Sequence, residues 1–430
     1  MRRLPGAMVA TALLFAGLFA PGAVAGAPGA GGSAAVAQRI PGGPVPLTSV
    51  PCPSIWVAGI GGSVLATVAP DTSIPASLLS AYGAVRYRGV PAIGLVPFAV
   101  PAARAGAFMA TLRAVPGVQS VALDRIAHAD GTKTRTPIRT PRDPLLGEQW
   151  ALTRIHATQA WAVETGHSNA ITVAVLDTGV DSTHPDLAGR VGSGFDFYDG
   201  GSDTSDLGYH GTAVASVIAA DSDNKVGIAG MSWGAQIMPV RVLGPDGTGT
   251  ECTIAAGIVS AAPQSAVENL SLGAVGPCSV VMQRAVDFAV DDSNVALIAA
   301  AGNSATKSNP PMEPADCAGA IGVGATDQRD RVASFSEHGP QVTVSAPGVH
   351  VLAAYRTKQG GHTYAYFDGT SLAAPMVSGL AALVFAKYPS WTAAQVVNRI
   401  KATAIDLGKK GRDDYYGVGR IDAGRALTAR

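Results

Sequence analysis

Short apolar segments alternate with helical stretches through the C-terminal part of this chain. The apolar segments are residues 171–176, 237–242, 267–272, 295–301, 321–324 and 342–345. Segments this short and this continuously apolar are typical of strands that are buried on both faces. The helical stretches include residues 253–261, 280–290 and 392–404. This alternation predicts an α/β fold, in which a mostly parallel sheet lies between helices.

A serine lies at the start of a long apolar stretch, residues 376–388, near the end of the chain. Gly369, Thr370 and Ser371 precede that stretch. Glycine allows a sharp turn, and a helix that follows would direct unpaired N–H groups and the positive end of its dipole toward an anion beside the hydroxyl. Ser371 is therefore a candidate nucleophile for acyl transfer. The same tripeptide also occurs in ordinary turns, so this assignment needs a base and an acid that orients the base.

Both partners are found upstream of the serine. Asp177 follows the apolar segment 171–176, and His210 precedes a helix-like stretch at residues 213–220. In open α/β sheets, catalytic side chains collect at the carboxyl ends of the strands. Each residue alone could be a turn former or a cap. Together they occur in the order Asp, His, Ser, which is one of the orders in which a catalytic triad recurs.

About the last three hundred residues resemble the subtilisin family of serine proteases. The matching segments are residues 177–181, 184–187, 210–212, 269–273, 300–303, 369–375 and 416–421. The resemblance implies a subtilisin-like three-layer fold and a serine endopeptidase. It also implies that Ser371 attacks the peptide carbonyl, that His210 takes its proton, and that Asp177 holds the imidazole tautomer. Asn303 would stabilise the oxyanion together with the backbone N–H of Ser371.

The resemblance also indicates where a polypeptide substrate binds. Two backbone segments would hold an extended peptide by strand pairing, namely Gly247, Thr248 and Gly249 on one side and Ser271, Leu272 and Gly273 on the other. Main-chain pairing does not depend on side chains, so we expect broad specificity. Pocket preferences would be set by residues such as Glu251.

A structural Ca²⁺ is the one metal that the resemblance implies. Its oxygen ligands would come from Asp143, Asp186, Asn224, Val226 and Ile228. Gln149 could replace Asp143, and a surface loop with scattered charges is the alternative interpretation. A His-Glu-x-x-His motif does not occur in the sequence, so a zinc protease is unsupported.

The N-terminal segment is predicted to direct export. Residues 1–3 are a basic start, residues 8–19 are mostly apolar, and residues 23–25 are a small-residue cleavage signal. We interpret residues 1–25 as a signal peptide. A membrane anchor is the alternative, but this apolar core is shorter than the ~20 residues that a spanning helix needs. We expect a secreted protein with no membrane anchor in its mature form.

Three further segments precede the predicted catalytic domain, residues 143–430. Residues 26–54 are rich in Gly, Pro, Ala and Ser and are predicted to be a flexible spacer. Residues 55–130 alternate strand-like runs (63–68, 92–96, 118–123) with helix-like runs (75–82, 103–115), which predicts a small α+β domain. Its end resembles that of the subtilisin propeptide, which implies a chaperone and intramolecular inhibitor rather than a permanent N-terminal domain. Residues 131–142 would be a linker that is trimmed later.

Four cysteines fit an exported protein with at least one disulfide. Cys52 lies in the predicted spacer, and the resemblance implies that Cys278 can pair with Cys317. Cys252 is then left over, either unpaired or paired in place of one of the others.

Two other functions share some of these motifs. A sedolisin-like serine-carboxyl protease uses a carboxylic acid pair as base and an aspartate at the oxyanion, so His210 and Asn303 argue against it. A non-catalytic binding protein on the same fold would not need the complete set of catalytic residues. The sequence has 31 Lys and Arg against 31 Asp and Glu, with no basic cluster that would bind nucleic acid. We expect a monomer whose partners are polypeptide substrates and its own propeptide.

Overall fold

Seven parallel strands form the central sheet of this computed structural model, which describes Cys52 and residues 62–129, 132–134, 145–357 and 359–429. The strands in chain order are β1 (Ser63–Val68), β2 (Val85–Arg86), β3 (Leu95–Ala99), β4 (Val118–Leu123), β5 (Ile126–Ala129), β6 (Thr132–Thr134), β7 (Thr172–Asp177), β8 (Phe195–Asp196), β9 (Gln236–Arg241), β10 (Thr248–Thr250), β11 (Val267–Leu270), β12 (Leu272–Val275), β13 (Ala296–Ala300), β14 (Met312–Glu313), β15 (Ile321–Thr326), β16 (Val342–Pro347), β17 (Val351–Arg356) and β18 (His362–Asp368). Asp130, Asp143, the predicted signal peptide and most of the predicted spacer and linker lie outside the described residues.

The central sheet has the strand order β16-β15-β13-β11-β7-β9-β8. Its neighbours pair in parallel, and each of the six predicted apolar segments contributes a strand to it. Along β7, Val173 and Val175 belong to one hydrophobic core, and Ala174 and Leu176 belong to the other. Side chains alternate between the faces of a strand, so the sheet is buried on both sides. The predicted α/β fold is confirmed.

Helices cover both faces of this sheet. The helices in chain order are α1 (Ala76–Tyr82), α2 (Ala102–Arg113), α3 (Trp150–Arg154), α4 (Ala157–Trp161), α5 (His210–Ala219), α6 (Glu251–Ala261), α7 (Val280–Asp287), α8 (Thr370–Lys387), α9 (Ala393–Thr403) and α10 (Ala423–Thr428). Buried residues of α5, α8 and α9 pack on one face, and those of α6 and α7 pack on the other. Among the described residues, α8 is long and apolar enough to cross a membrane, but it is buried inside the protein.

Two predicted elements end earlier than expected. The apolar segment 267–272 is not one strand, because the chain leaves the central sheet after β11 and continues as β12 in another sheet. The predicted helix 280–290 ends as an α-helix at Asp287, and a π-helical turn, Phe288–Asp292, follows it. Apolar periodicity does not distinguish these changes of direction from a continuous element.

A small α+β layer precedes the main sheet. Its four strands pair antiparallel in the order β2-β3-β1-β4, and α1 and α2 pack on them around Phe98, Phe108 and Leu112. The predicted strand 92–96 is wrong at its start, because Pro91–Ile93 forms a 3₁₀ turn that ends at Gly94 with φ of 65°. This left-handed conformation suits glycine, and β3 begins only after it.

The other face of this small sheet rests on α6 and α7. Leu65 and Leu95 are buried together with apolar residues of these helices, and burying such a side chain contributes about 1.5–3 kcal/mol. Arg284 of α7 donates to Ile93 O at 3.2 Å and to Gln119 Oε1 at 2.6 Å. Both apolar and polar contacts therefore join the two layers.

Two disulfides are present in the described residues. Cys278 pairs with Cys317, as the resemblance implied. Cys252 is not left over, because it pairs with Cys52 across 200 residues of sequence. The sequence placed Cys52 in a flexible spacer, and only the docking of the small domain on α6 brings the two sulfurs together. The bridge ties the segment before β1 covalently to the main domain.

One buried acid, Glu268, makes the stability of the folded protein depend on pH. Glu268 on β11 is 0% exposed, and neither of its carboxyl oxygens has a hydrogen-bond partner among the described residues. Burial raises the pKa of Glu268 well above its ordinary value of 4.5. The folded state therefore keeps a proton that the unfolded chain loses, and stability declines as the pH rises above the unfolded pKa.

We expect Glu268→Gln, which stays neutral at every pH, to weaken the decline of the melting temperature between about pH 5 and pH 8. The slope removed is at most about 1.4 kcal/mol per pH unit. Thermal unfolding followed by circular dichroism measures it. Asp287→Asn, which changes an exposed acid on α7, is the control and should leave the slope unchanged. Parallel pH curves for wild type and Glu268→Gln would contradict this account.

Candidate active site

Asp177 and His210 lie side by side at the carboxyl edge of the central sheet. Asp177 ends β7 and His210 begins α5, and the imidazole Nδ1 is 2.8 Å from Asp177 Oδ1 and 2.9 Å from Oδ2. Asp177 is 0% exposed and His210 is 8% exposed. The carboxylate also accepts the N–H of Thr178 at 2.8 Å. A carboxylate held in this way fixes the hydrogen on Nδ1 and leaves Nε2 as the basic nitrogen.

Ser371 is the second residue of α8, which packs against α5. Pro375 lies one helical turn later and has no N–H, so it cannot donate to the carbonyl of Ser371. Ser271 Oγ takes that role and donates to Ser371 O at 2.8 Å, and Ser371 Oγ donates to Ser271 O at 3.1 Å. This reciprocal pair attaches the candidate nucleophile to the chain between β11 and β12.

Two more polar side chains extend this contact into the core. Asn269 Nδ2 donates to Ser271 Oγ at 2.9 Å, and Ser378 Oγ donates to Asn269 Oδ1 at 2.8 Å. Both residues are fully buried, so their hydrogen bonds are satisfied inside the protein. No role for Ser378 is predicted from the sequence. A polar residue at Asn269 inside an apolar strand is the signal that points to this network.

The side chain of Asn303 is fixed by the residue before the candidate nucleophile. Its Oδ1 accepts the N–H and the hydroxyl of Thr370, both at 2.9 Å, and Gly302 N donates to the Thr370 hydroxyl at 3.2 Å. These contacts use the amide oxygen of Asn303. The Nδ2 hydrogens are therefore the part of the amide that can donate to a developing anion.

The predicted substrate segments lie on either side of one strand of the chain itself. β5 pairs antiparallel with β10 on one side and with β12 on the other. Thr248 and Gly249 are opposite residues 128 and 127, and Leu272 and Gly273 are opposite residues 129 and 128. Gly247 precedes β10 in a turn with φ of 75°, and Ser271 precedes β12. The structure thus brings all six predicted residues to one cleft.

Comparison with known proteins identifies the family of this chain. The sequence model of the subtilase family matches residues 168–419. This chain belongs to the subtilase family. It is 40% identical to thermitase of Thermoactinomyces vulgaris over 291 residues, which are 67% of this chain and 99% of that protein. It is 41% identical to a thermophilic serine proteinase of Bacillus sp. (strain AK1) over 292 residues, which are 67% of this chain and 69% of that protein.

A solved structure shows the same relationship. Fervidolysin from Fervidobacterium pennivorans, described as a keratinolytic enzyme related to subtilisin, matches with a TM-score of 0.74 and 30% sequence identity. The match covers 86% of this chain and 61% of that chain. Together with the sequence relatives, this likeness identifies a subtilisin-like serine endopeptidase.

Asp206 is a supporting residue of this subtilase that the sequence analysis did not find. Its carboxylate accepts the Thr178 hydroxyl at 2.8 Å and the N–H and hydroxyl of Thr212 at 2.9 and 2.6 Å. Thr178 Oγ1 in turn accepts Gly211 N–H at 3.0 Å. Burial, with the nearby charge of Asp177, raises the pKa of Asp206 to about 6. The residue joins the end of β7 to the start of α5, and it therefore positions Asp177 against His210.

Four of the five predicted calcium ligands lie together in the structure. Asp186 is 0% exposed, and its carboxylate accepts Asn224 Nδ2 at 3.1 Å and Ile228 N–H at 2.8 Å. Val226 donates its N–H to Asn224 Oδ1 at 2.7 Å, so these four residues share one loop contact. Asp143 lies outside the described residues, and the part of the chain that is described holds no group of three acidic, His or Cys side chains able to hold a metal.

Gln149, the predicted substitute for Asp143, lies near this loop but is engaged with its backbone. Gln149 Nε2 donates to the carbonyl of Ala229, and Gln149 Oε1 accepts the N–H of Ala229, each at 2.8 Å. Burial raises the pKa of Asp186 above its ordinary value.

We expect Asp206→Asn to lower kcat for a peptide substrate by roughly 10- to 100-fold with little change in KM, because a misplaced base costs rate rather than binding. Steady-state kinetics measure the effect. Asp203→Asn changes an exposed acid that binds Ser205, and it is the matched control. A wild-type kcat for Asp206→Asn would show that Asp206 does not position the pair.

Proposed function

We propose that this subtilase is a secreted endopeptidase that cleaves polypeptides through an acyl-enzyme on Ser371. The observation that carries this proposal is the double contact of His210 with the buried Asp177 carboxylate. His210 begins α5, which packs against α8, and Ser371 lies in the first turn of α8. The contact of His210 with Asp177 argues against the serine-carboxyl alternative, whose base is an acid pair.

The proposed reaction uses each group at a stated atom. His210 Nε2 takes the proton of Ser371 Oγ as the oxygen attacks the peptide carbonyl, and Asp177 stabilises the imidazolium through Nδ1. Asn303 Nδ2 and the backbone N–H of Ser371 would donate to the oxyanion. When the C–N bond breaks, His210 returns the proton to the leaving amine. Water then attacks the acyl-enzyme by the same route and restores Ser371.

Residues 55–130 are proposed to inhibit the enzyme as its propeptide. Their last described strand, β5, occupies the cleft between β10 and β12, where a substrate would pair. A cut near Asp130, just after this strand, would be made by the active site itself. The disulfide between Cys52 and Cys252 would then keep the cleaved propeptide attached to the enzyme.

Export is supported by the N-terminal residues 1–25 and by the two disulfides, which persist in oxidising compartments. We propose that the mature enzyme is released as a monomer without a membrane anchor. Residues 131–142 would be trimmed from the catalytic domain, residues 143–430.

A fluorophosphonate probe tests the catalytic assignment. We expect the probe to label Ser371 in the wild-type protein and to leave Ser371→Ala unlabelled, with mass spectrometry of the labelled peptide as the measurement. Ser371→Ala should also remain one uncut chain. Wild-type protein should run as one band on a non-reducing gel and as two bands after reduction, because the Cys52–Cys252 bridge joins the pieces.

The combined variant Cys52→Ser and Cys252→Ser is the control for this gel, and its two pieces should separate without reductant. Normal cleavage of Ser371→Ala in a protease-free host would show that another enzyme makes the cut. No labelling of the combined cysteine variant, after removal of its cleaved propeptide, would contradict the proposed function itself.

We also propose a structural Ca²⁺ site at Asp186. A buried carboxylate without a cationic partner is costly, and none of the basic side chains in the described residues pairs with Asp186. The Asp186 carboxylate, the Asn224 amide oxygen and the carbonyls of Val226 and Ile228 are the hard oxygen donors that Ca²⁺ prefers, and Asp143 would add another. Bound Ca²⁺ would supply the missing positive charge.

A chelator should therefore lower the melting temperature of the wild-type protein, since an ion bound only by the native state stabilises it by about 2.7 kcal/mol at 100 times Kd. Asp186→Asn should remove this dependence while it keeps an acceptor for Ile228 N–H. Asp223→Asn, an exposed acid on the same loop, should retain it. Identical melting curves of wild type with and without excess chelator would exclude the site.

A further inference from the structure

Two buried carboxylates, Glu251 and Glu313, lie at the end of the cleft where β5 enters it. Glu251 begins α6 directly after β10, and Glu313 lies on β14, which pairs with β12. Their side chains are 2% and 0% exposed. Ser279 donates its hydroxyl to Glu251 Oε1 and its N–H to Glu313 Oε2 at 2.9 Å. Glu313 Oε1 has no hydrogen-bond partner within the described residues, although it is buried.

The guanidinium of Arg125 lies against this acidic pair. Arg125 Nε is 3.4 Å from Glu251 Oε2, and Nη2 forms an ion pair with Glu313 Oε2. Nη1 donates to Pro277 O at 3.3 Å. One cation thus contacts both carboxylates and a backbone carbonyl. The planar, forked guanidinium suits several acceptors at once, whereas the ammonium of lysine is a single point charge.

Arg125 reaches the pair as part of the strand that fills the cleft. Its carbonyl accepts Glu251 N–H at 2.8 Å, and the next residue, Ile126, is opposite Thr250 in the ladder between β5 and β10. The register of the main chain therefore places this side chain at the acidic pair. Arg125 lies five residues before Asp130, so a bond cut after Asp130 has Arg125 at the sixth position upstream.

We propose that Glu251 and Glu313 form a substrate subsite that selects an arginine at the sixth position before the cleaved bond. This inference rests on the proposed endopeptidase function and names a substrate class for it. Arg125 belongs to the proposed propeptide, so its release from the cleft would leave two adjacent carboxylates without their cation. A substrate arginine in the same register would restore the contact. β10 and β12 would then bind the main chain of many peptides, and the acidic pair would favour those with an arginine at this one position.

Quenched fluorescent peptides that carry residues 124–134 of this chain test the subsite. The enzyme is the processed variant with Cys52→Ser and Cys252→Ser, from which the cleaved propeptide and its Arg125 have been removed. Three peptides have Arg, Lys or Gln at the position of Arg125. In a fourth, the residues at positions 124 and 125 are exchanged, so its composition and charge equal those of the native peptide. We expect kcat/KM for the Arg peptide to exceed that of the Gln peptide by at least about 10-fold, with Lys between them. The exchanged peptide should be no better than Gln, because it places an aspartate against the acidic pair.

A variant with both Glu251→Gln and Glu313→Gln should reduce the ratio of kcat/KM for the Arg and Gln peptides toward one. Asp316→Asn is the matched control, because Asp316 accepts Cys278 N–H beside the pair and should leave the ratio unchanged. If the double variant does not fold or mature, the four peptides decide the question on the enzyme that keeps Glu251 and Glu313 and has lost its propeptide.

Equal kcat/KM for the Arg, Gln and exchanged peptides would overturn the inference while the endopeptidase assignment stands. Failure to cleave even the Arg peptide, by an enzyme that digests denatured casein, would overturn it as well. A protein that neither digests casein nor reacts with a fluorophosphonate would instead contradict the proposed function.

Discussion

The contact between Ser271 and Ser371 joins the proposed nucleophile to the chain segment that leaves the central sheet. Each residue donates its hydroxyl to the carbonyl of the other, over 2.8 and 3.1 Å. This exchange is possible because Pro375 cannot donate to the Ser371 carbonyl, which would otherwise be used inside α8. The carbonyl of Ser371 that is left free within α8 therefore binds Ser271 instead. The buried chain from Ser378 through Asn269 holds this contact against the core.

Ser271 also lies where the chain leaves the central sheet. Because β11 ends before Ser271 and β12 begins after it, the next residues are free to pair with an extended peptide in the cleft. One short segment therefore fixes both the position of Ser371, the proposed nucleophile, and the register of β5 in the cleft. Asp206 fixes the position of Asp177 and His210 in a similar way. Its carboxylate joins the end of β7 to the start of α5 and so aligns the two side chains. Both arrangements use buried hydrogen bonds, which are costly to leave unmade.

The small N-terminal domain contacts the enzyme in four different ways. Its sheet buries Leu65 and Leu95 on α6 and α7, and its terminal strand fills the cleft. Arg125 pairs with two buried acids, and Cys52 adds a covalent bond to Cys252. Apolar burial and strand pairing are largely independent of the side chains of a substrate. The ion pair is the contact that distinguishes one peptide from another, because buried charges tolerate only an opposite charge.

Local sequence patterns were enough to predict the α/β fold, its six apolar strands, and the three elements that carry Asp177, His210 and Ser371. Burial on both faces demands continuous apolar segments, and a parallel sheet brings the carboxyl ends of its strands to one edge. The break at Ser271, the support from Asp206, the partner of Cys52 and the site of Arg125 were not predictable in this way. Each depends on contacts between residues that are distant in sequence, and such contacts leave no periodic signal along the chain. The sequence by itself therefore determined which elements form and which chemical groups they carry. The tertiary structure alone decided which of those groups meet, because only packing selects one set of long-range partners for each buried polar or charged side chain.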